Sequence, residues 1–257
     1  MYKFNEDKVK DDLAQWIRDY FNKNGMNSKA VIGISGGKDS TIVTGLCVEA
    51  LGADRVFGVL MPQGCQWDLH VAELVCKYFG IKNITINIYD AVNEIYRQVS
   101  NKLLSTDDDN FLNSVVTNNT PARIRMTTLY AISAQINGRV ANTCNLSENY
   151  LGWNTKYGDD AGDFSPLASL TNNEVVRIGM ALGIDYDLIF KKPEDGLTGR
   201  TDEENFRFTY SELDKYLRGG EINPDVVAKI QIMHNDGIHK MTKMPYFPYN
   251  PYKHCGD

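Results

Sequence analysis

A short segment near the N-terminus contains the residue types of a phosphate-binding loop. It reads Ser35-Gly36-Gly37-Lys38-Asp39-Ser40 and lies between an apolar run and a segment with a helical pattern. The two glycines allow backbone N–H groups to turn inward, and the N-terminus of the following helix adds partial positive charge. Lys38 adds a full positive charge and the serines add hydroxyl donors. The loop therefore suits a pyrophosphate group, although it lacks the Gly-x-x-x-x-Gly-Lys and Gly-x-Gly-x-x-Gly spacings.

Asp39 is the unexpected residue in this loop, because a carboxylate repels a phosphate. The conflict disappears if Asp39 binds Mg²⁺, which would bridge the carboxylate and the phosphates. The alternative is an ordinary strand-to-helix turn in which Asp39 is the N-cap. The position of the loop at the carboxyl end of a predicted strand favours binding over the simple turn.

The pattern of the chain predicts the elements that would hold this loop. Strands are predicted at 30–34, 56–60, 84–88 and 140–143. Helices are predicted at 7–24, 40–51, 68–79, 90–104, 121–136, 173–182, 211–217 and 224–235, with surface loops at 106–119 and 191–208. Alternating strands and helices indicate an α/β fold, a doubly wound parallel sheet flanked by helices. We expect residues 1–257 to form one domain.

Composition narrows the class of function. The chain has 257 residues and a net charge of -6, which argues against a general nucleic-acid binder. Its five cysteines include no Cys-x-x-Cys pair, which favours a reducing compartment. We see no apolar signal segment at the N-terminus and no apolar run long enough to cross a bilayer. These features predict a soluble cytoplasmic protein without membrane or nucleic-acid partners.

Further motifs follow the loop in a fixed order. They are Pro121-Ala122-Arg123-Ile124-Arg125-Met126, Asn142-Thr143, Glu148, Thr155-Lys156-Tyr157-Gly158-Asp159, Asp163 and His239-Lys240. The loop resembles that of the N-type ATP pyrophosphatases, and the ordered set resembles the ammonia-dependent NAD synthetases over about residues 30–240. The resemblance implies an ATP-dependent ligase that adenylates deamido-NAD at its nicotinate carboxylate. Ammonia then displaces AMP, which gives NAD, and the absence of a glutaminase domain is expected.

The resemblance also implies roles for individual residues. Mg²⁺ would be held by Asp39 and Glu148. Asp163 would bind the substrate or accept a proton from ammonium, and with Lys38 and Asp39 it completes the predicted catalytic set. The family is usually a homodimer, so a homodimer is expected. The predicted ATP-binding residues are Gly33, Ile34, Ser35, Gly36, Gly37, Lys38, Asp39, Ser40 and Thr143, and the predicted substrate-binding residues are Arg123, Lys156, Asp163, His239 and Lys240.

Three positions depart from the common family pattern. Cys144-Asn145 replaces an Asp-His pair, Asn172 replaces an ATP-binding lysine, and Glu194 replaces a threonine. Substitutes for the missing lysine are available at Lys191, Lys192 and Arg200.

Two other functions are compatible with the loop. One is adenylation of a different substrate, as in GMP synthetase or the tRNA-thiolating enzymes, although these require further domains or a basic surface with catalytic cysteines. The other is a nucleotide sensor that binds ATP without cleaving it. The paired acidic residues Asp39 and Glu148 favour an enzyme.

Overall fold

The centre of the molecule is a sheet of four parallel strands in the order β3-β2-β1-β4. We describe it from a computed structural model covering residues 2–103, 112–190 and 202–248. The strands are β1 (Lys29–Gly33), β2 (Val56–Leu60), β3 (Lys82–Thr85) and β4 (Gly138–Val140). The chain adds β2 and β3 on one side of β1 and then places β4 on the other side. The strand order therefore reverses between β1 and β4, where a crevice forms at the carboxyl ends of the strands.

Helices cover both faces of this sheet, which confirms the predicted α/β class. Successive residues of β1 point to opposite faces, so Ile32 joins one apolar cluster and Val31 joins another. Both side chains are fully buried, as expected for a central parallel strand. The described helices are α1 (Glu6–Asn24), α2 (Lys38–Leu51), α3 (Leu69–Tyr78), α4 (Tyr89–Leu103), α5 (Ser114–Gln135), α6 (Leu146–Leu151), α7 (Asn172–Ala181), α8 (Tyr186–Ile189), α9 (Asp202–Phe206), α10 (Tyr210–Leu217) and α11 (Pro224–Met241).

Helix α5 begins earlier than the sequence predicted. Residues 114–119, expected in a loop, are helical, and Pro121 lies inside the helix rather than in its first turn. The side chain of Asn113 caps the new start by accepting from the Val116 N–H. Proline has no N–H, so the Thr117 carbonyl loses its helical donor. The Tyr96 hydroxyl on α4 donates to that carbonyl at 2.9 Å, which explains why a proline is tolerated there.

The fourth strand begins two residues earlier than the predicted 140–143 and ends three residues earlier, at Val140. The strand ends at Val140, and Ala141 adds one further bond to β1, from its N–H to the Val31 carbonyl. Asn142 then turns the chain, because its amide donates to the carbonyls of Asp159 and Ala161 and its oxygen accepts from the Cys144 N–H. This side-chain network competes successfully with extension of the strand.

The C-terminal half contains elements that the periodicity did not predict. Helices α6, α8 and α9 are too short to show a clear apolar repeat. A third apolar cluster joins α6, α9, α10 and α11 through Leu151, Phe206, Leu213 and Ile230. The predicted loop 191–208 is helical at 202–206. Its residues 191–201, which include Lys191, Lys192, Glu194 and Arg200, lie outside the described residues. No helix in the described ranges has the length and apolarity needed to span a bilayer.

Candidate active site

The glycine loop connects β1 to α2, as the sequence predicted. Gly36 has φ +80°, a left-handed conformation that favours glycine, and an added Cβ would lie 3.1 Å from the Ala72 nitrogen. Gly37 is the N-cap of α2 and makes no side-chain bond to the helix amides, and Gly37, Asp39 and Ser40 at this helix start line a cavity. The hydroxyl of Ser40 donates to the Gly37 carbonyl at 3.0 Å and lies 3.1 Å from the Ser35 hydroxyl. The loop is thus held by its own serines.

The two predicted metal ligands lie on the same cavity wall and are joined by one residue, Asn145. The Asn145 amide donates to Asp39 Oδ1 at 3.2 Å, and its side-chain oxygen accepts from the Glu148 N–H at 3.1 Å. Its backbone N–H donates to Glu148 Oε2, also at 3.1 Å. Asn145 is fully buried and begins α6 as part of a capping box. It therefore fixes the carboxylates of Asp39 and Glu148 relative to each other.

The charges in this group are unbalanced. Lys38 contacts Asp39 at 2.6 Å. Burial lowers the Lys38 pKa, but the carboxylates of Asp39 and Glu148 outweigh burial and raise it overall. Burial, reinforced by the neighbouring Asp39 carboxylate, raises the pKa of Glu148 to about 8. Lys38 balances only part of the charge of Asp39 and Glu148, and the described residues that line the cavity include no lysine, arginine or histidine. Such a carboxylate pair is suited to receiving a divalent cation.

A cavity of about 280 Å³ lies above these residues at the carboxyl ends of β1 and β4. Of the predicted ATP and metal residues, Ser35, Gly37, Asp39, Ser40, Thr143 and Glu148 form its walls. Gly36 and Lys38 belong to the loop and Gly33 lies two residues before it, but none of the three is among the residues that line the cavity. Ile34 is buried in the core, and its N–H donates to the Val59 carbonyl, so only its carbonyl is available for a nucleotide.

Four further wall residues were assigned no role from the sequence, namely Cys144, Trp153, Asp159 and Asp202. Asp202 at the start of α9 accepts from the Trp153 indole at 3.1 Å and from the Tyr210 hydroxyl at 2.8 Å. Asp159 accepts from the Thr155 N–H at 2.8 Å, and desolvation raises its pKa. Asp202 and Trp153 meet only through the tertiary fold. Asp159, in contrast, belongs to the Thr155-Lys156-Tyr157-Gly158-Asp159 motif and could have been chosen from the sequence.

Most of the predicted substrate-binding residues are connected in a chain of hydrogen bonds. The Arg123 side chain donates to the Lys156 carbonyl at 3.1 Å, and the Lys156 ammonium donates to the His239 carbonyl at 2.7 Å. Lys240 is committed to structure, because its ammonium donates to the carbonyls of Gly152 and Asn154 at 2.8 and 3.0 Å. The fold thus gathers three cationic side chains and one histidine from α5, the 155–159 segment and α11.

Asp163 lies apart from both groups. One of its carboxylate oxygens accepts from the Val140 N–H at 2.7 Å, and the other accepts from the Tyr130 hydroxyl at 3.3 Å. Burial and the Asp163 carboxylate together raise the pKa of Tyr130 to about 12. Asp163 is not among the residues that line the cavity.

Helices α6 and α11 approach each other closely beside the cavity. An added Cβ at Gly237 would lie 2.7 Å from the Gly152 Cα, and one at Gly152 would lie 2.5 Å from the Gly237 Cα. Only glycine allows this backbone approach. The crossing sets the distance between Glu148 on α6 and His239-Lys240 on α11.

The chain matches a protein family and many known proteins of that family. The family model described as NAD synthase matches residues 9–247. The chain belongs to the NAD synthase family. The chain is 37% identical over 211 residues to the NH(3)-dependent NAD(+) synthetase of Thermococcus sibiricus, a match covering 82% of this chain and 79% of that protein.

Solved structures of related proteins are similar to this chain as well. NMN synthetase from Francisella tularensis is 29% identical with a TM-score of 0.86, covering 96% of this chain and 100% of that chain. NH3-dependent NAD synthetase from Campylobacter jejuni is 28% identical with a TM-score of 0.75 and the same coverage. The resemblance indicated by the ordered motifs is confirmed, and the chain is an enzyme of a ligase family that uses ATP as co-substrate.

Proposed function

We propose that this NAD synthase family member converts deamido-NAD, ATP and ammonia into NAD, AMP and pyrophosphate. The observation that carries the proposal is the single cavity that joins the glycine loop to Asp39 and Glu148. Ammonia as the nitrogen donor is supported by the names of the relatives, which are NH(3)-dependent enzymes that match most of this chain.

The reaction needs activation because an oxide is too poor a leaving group for direct amidation of a carboxylate. Attack of the nicotinate carboxylate on the α-phosphorus of ATP would form an acyl-adenylate and release pyrophosphate. Ammonia would then attack the acyl carbon and release AMP. The role of the protein is to bring two anions together and stabilise the charge that develops on the phosphoryl oxygens.

Asp39 and Glu148 offer the oxygen donors that Mg²⁺ prefers, and their unbalanced charge fits a cation at this position. Bound there, Mg²⁺ would neutralise negative charge on the triphosphate. The amides at the start of α2 and the serine hydroxyls would bind the phosphates directly. Thr143, in the segment that follows β4, would contact the nucleotide. Lys38 would contribute positive charge next to Asp39.

Two carboxylates are candidates for removing a proton from ammonium. The sequence predicted Asp163, but both its oxygens already accept hydrogen bonds outside the cavity. Asp159 lines the cavity, and desolvation raises its pKa, which makes it a stronger base. We therefore propose Asp159 as the group that removes the proton from ammonium. Asp163 would instead orient Tyr130, whose hydroxyl donates to it.

The cationic group made by Arg123, Lys156 and the His239-Lys240 segment would bind the dinucleotide. Arg123 and His239 are exposed, so they are accessible to a pyrophosphate or ribose. Lys240 would act on the substrate indirectly, by fixing α11 against the end of α6.

The reaction is tested by incubating the protein with ATP, Mg²⁺, ammonium and deamido-NAD. NAD, AMP and pyrophosphate should appear in equal amounts, and an Asp39→Ala variant should form no AMP. Binding of ATP without Mg²⁺-dependent AMP release would identify a nucleotide sensor instead. Turnover of xanthylate in place of deamido-NAD would identify a GMP synthetase.

A second candidate substrate is supported by the structural comparison. The TM-score with NMN synthetase, 0.86, exceeds the TM-score with the Campylobacter jejuni NAD synthetase, 0.75, at nearly equal identity. Amidation of nicotinate mononucleotide is the same chemistry on a substrate without the second nucleotide. Comparing kcat/KM for deamido-NAD and nicotinate mononucleotide decides between them, and preference for the mononucleotide would replace our proposal.

A homodimer remains part of the proposal. Tyr89, Ile95 and Val115 are apolar side chains exposed on α4 and α5, two helices that pack against each other. Exposed apolar side chains of this kind are often covered in an assembly. Light scattering after size exclusion should give twice the mass of one chain, and a monomer at micromolar concentration would refute this part.

A further inference from the structure

Glu148 is carried by α6, a helix of only 6 residues. A helix this short has little stability of its own and takes its orientation from its attachments. Its N-terminus is attached to Asp39 through Asn145, and its C-terminal end is attached to α11. A third attachment, on the face away from the cavity, begins at Ser147, the neighbour of Glu148.

Ser147 is fully buried and forms two hydrogen bonds. Its hydroxyl donates to Asp214 Oδ1 on α10 at 2.7 Å and accepts from the Asn172 N–H at 3.0 Å. The other Asp214 oxygen accepts from the Asn173 N–H at 2.8 Å. Asp214 is 6% exposed and therefore lies inside the protein. One buried carboxylate thus binds α6 and the first turn of α7 at the same time.

The position of Ser147 gives this attachment a consequence for the active site. Consecutive residues on an α-helix point about 100° apart around its axis. Fixing the Ser147 hydroxyl against Asp214 therefore fixes the rotation of α6, which determines the direction of the Glu148 side chain. The Asp214 charge is stabilised by the positive N-terminus of α7, so the anchor itself is rigid.

We propose that Asp214, acting through Ser147, is a positioning residue that aims Glu148 at the divalent cation of the active site. The inference rests on the proposed function in one respect, the assignment of Glu148 as a cation ligand. It does not require that deamido-NAD be the substrate.

The test is direct binding of Mn²⁺, as a stand-in for Mg²⁺, in the presence of a nonhydrolysable ATP analogue, followed by electron paramagnetic resonance. Ser147→Ala and Asp214→Ala should weaken Mn²⁺ binding by about 10-fold or more, the usual effect of losing support behind a metal ligand. Asp214→Asn should keep most of the affinity, because its oxygen can accept from Asn173 and its amide can donate to Ser147.

Glu174→Gln is the matched control. Glu174 is a buried carboxylate on α7 that binds Arg218, the residue directly after α10, and among the described residues it forms no hydrogen bond to α6. It should lower the melting temperature and leave Mn²⁺ affinity unchanged. Equal weakening by Glu174→Gln, or wild-type affinity in Ser147→Ala, would overturn the proposal. Ser147→Ala removes a single oxygen and carries the test if Asp214→Ala fails to fold.

These measurements also distinguish failure of the positioning role of Asp214 from failure of the proposed reaction. If Glu148→Gln binds Mn²⁺ as tightly as the wild type, the metal assignment fails, and this inference fails with it. If the variants change Mn²⁺ affinity as expected but the wild type makes no NAD, the proposed reaction fails and the positioning role of Asp214 stands.

Discussion

Replacing Asn145 is the most direct perturbation of the site, because this side chain joins the two predicted metal ligands. Asn145→Ala removes the cap on the Glu148 N–H and the bond to the Asp39 carboxylate. Loss of an N-cap costs about 1 kcal/mol, and loss of a hydrogen bond to a charged group costs about 1.5–3 kcal/mol. We expect the free energy of unfolding to fall by about 2.5–4 kcal/mol in total.

Asn145→Ser separates the two contributions. Serine can still cap α6 but is too short to reach Asp39, so it should recover about 1 kcal/mol relative to alanine. Asn5→Ala is the matched control, since Asn5 caps α1 at the same 3.1 Å distance and lies far from the cavity in the fold. Asn5→Ala should lose only the cap energy and leave the Mg²⁺ dependence of AMP formation unchanged.

The assay is urea unfolding without divalent cations, combined with the Mg²⁺ concentration that gives half-maximal AMP formation. Both Asn145 variants should require more Mg²⁺ than the wild type, because the carboxylates are no longer held together. The reasoning is refuted if Asn145→Ala costs less than about 0.5 kcal/mol, the range of a neutral surface change, and leaves the Mg²⁺ requirement as it was.

Three further predictions concern the support around the site. Tyr96→Phe should lower the free energy of unfolding by about 1–3 kcal/mol, because it removes the donor to the Thr117 carbonyl, which Pro121 cannot replace. Thermal unfolding measures this loss, and an unchanged melting temperature would contradict the prediction. Burial raises the Glu174 pKa, but its bonds to Arg218 and Tyr2 outweigh burial and hold it below its usual 4.5. The stability that ionised Glu174 contributes is therefore present above pH 4.5 and is lost as the pH falls through the lower pKa of the folded protein. The difference in unfolding free energy between the wild type and Glu174→Gln should thus become smaller in acid. A difference that does not depend on pH would refute this. Gly237→Ala should raise KM for the dinucleotide more than it lowers kcat, because the added Cβ would push α11 away from Gly152. An unchanged KM would show that the close approach of α6 and α11 does not determine substrate binding.

Sequence reasoning succeeded where one local pattern dominates. The apolar run of β1 followed by two glycines predicted a strand, a turn and a helix, and these elements are present. It failed where a distant group decided the outcome. Pro121 indicates a helix start by local rules, but the Tyr96 hydroxyl satisfies the orphaned carbonyl and lets α5 begin at Ser114. Asn142 ends β4 early for the same reason, since its bonds reach residues of the 159–161 segment.

The sequence by itself determined the α/β class, the position of the glycine loop between a strand and a helix, and the family, because these depend on residue types at short spacings and on the order of motifs. Only the tertiary structure decided which groups meet. It placed Asn145 between Asp39 and Glu148, brought Asp202 to the cavity, and kept Asp163 outside its lining. The physical reason is that hydrogen bonds and charge coupling depend on distances of a few ångströms, which are set by how α6, α10 and α11 pack rather than by separation along the chain.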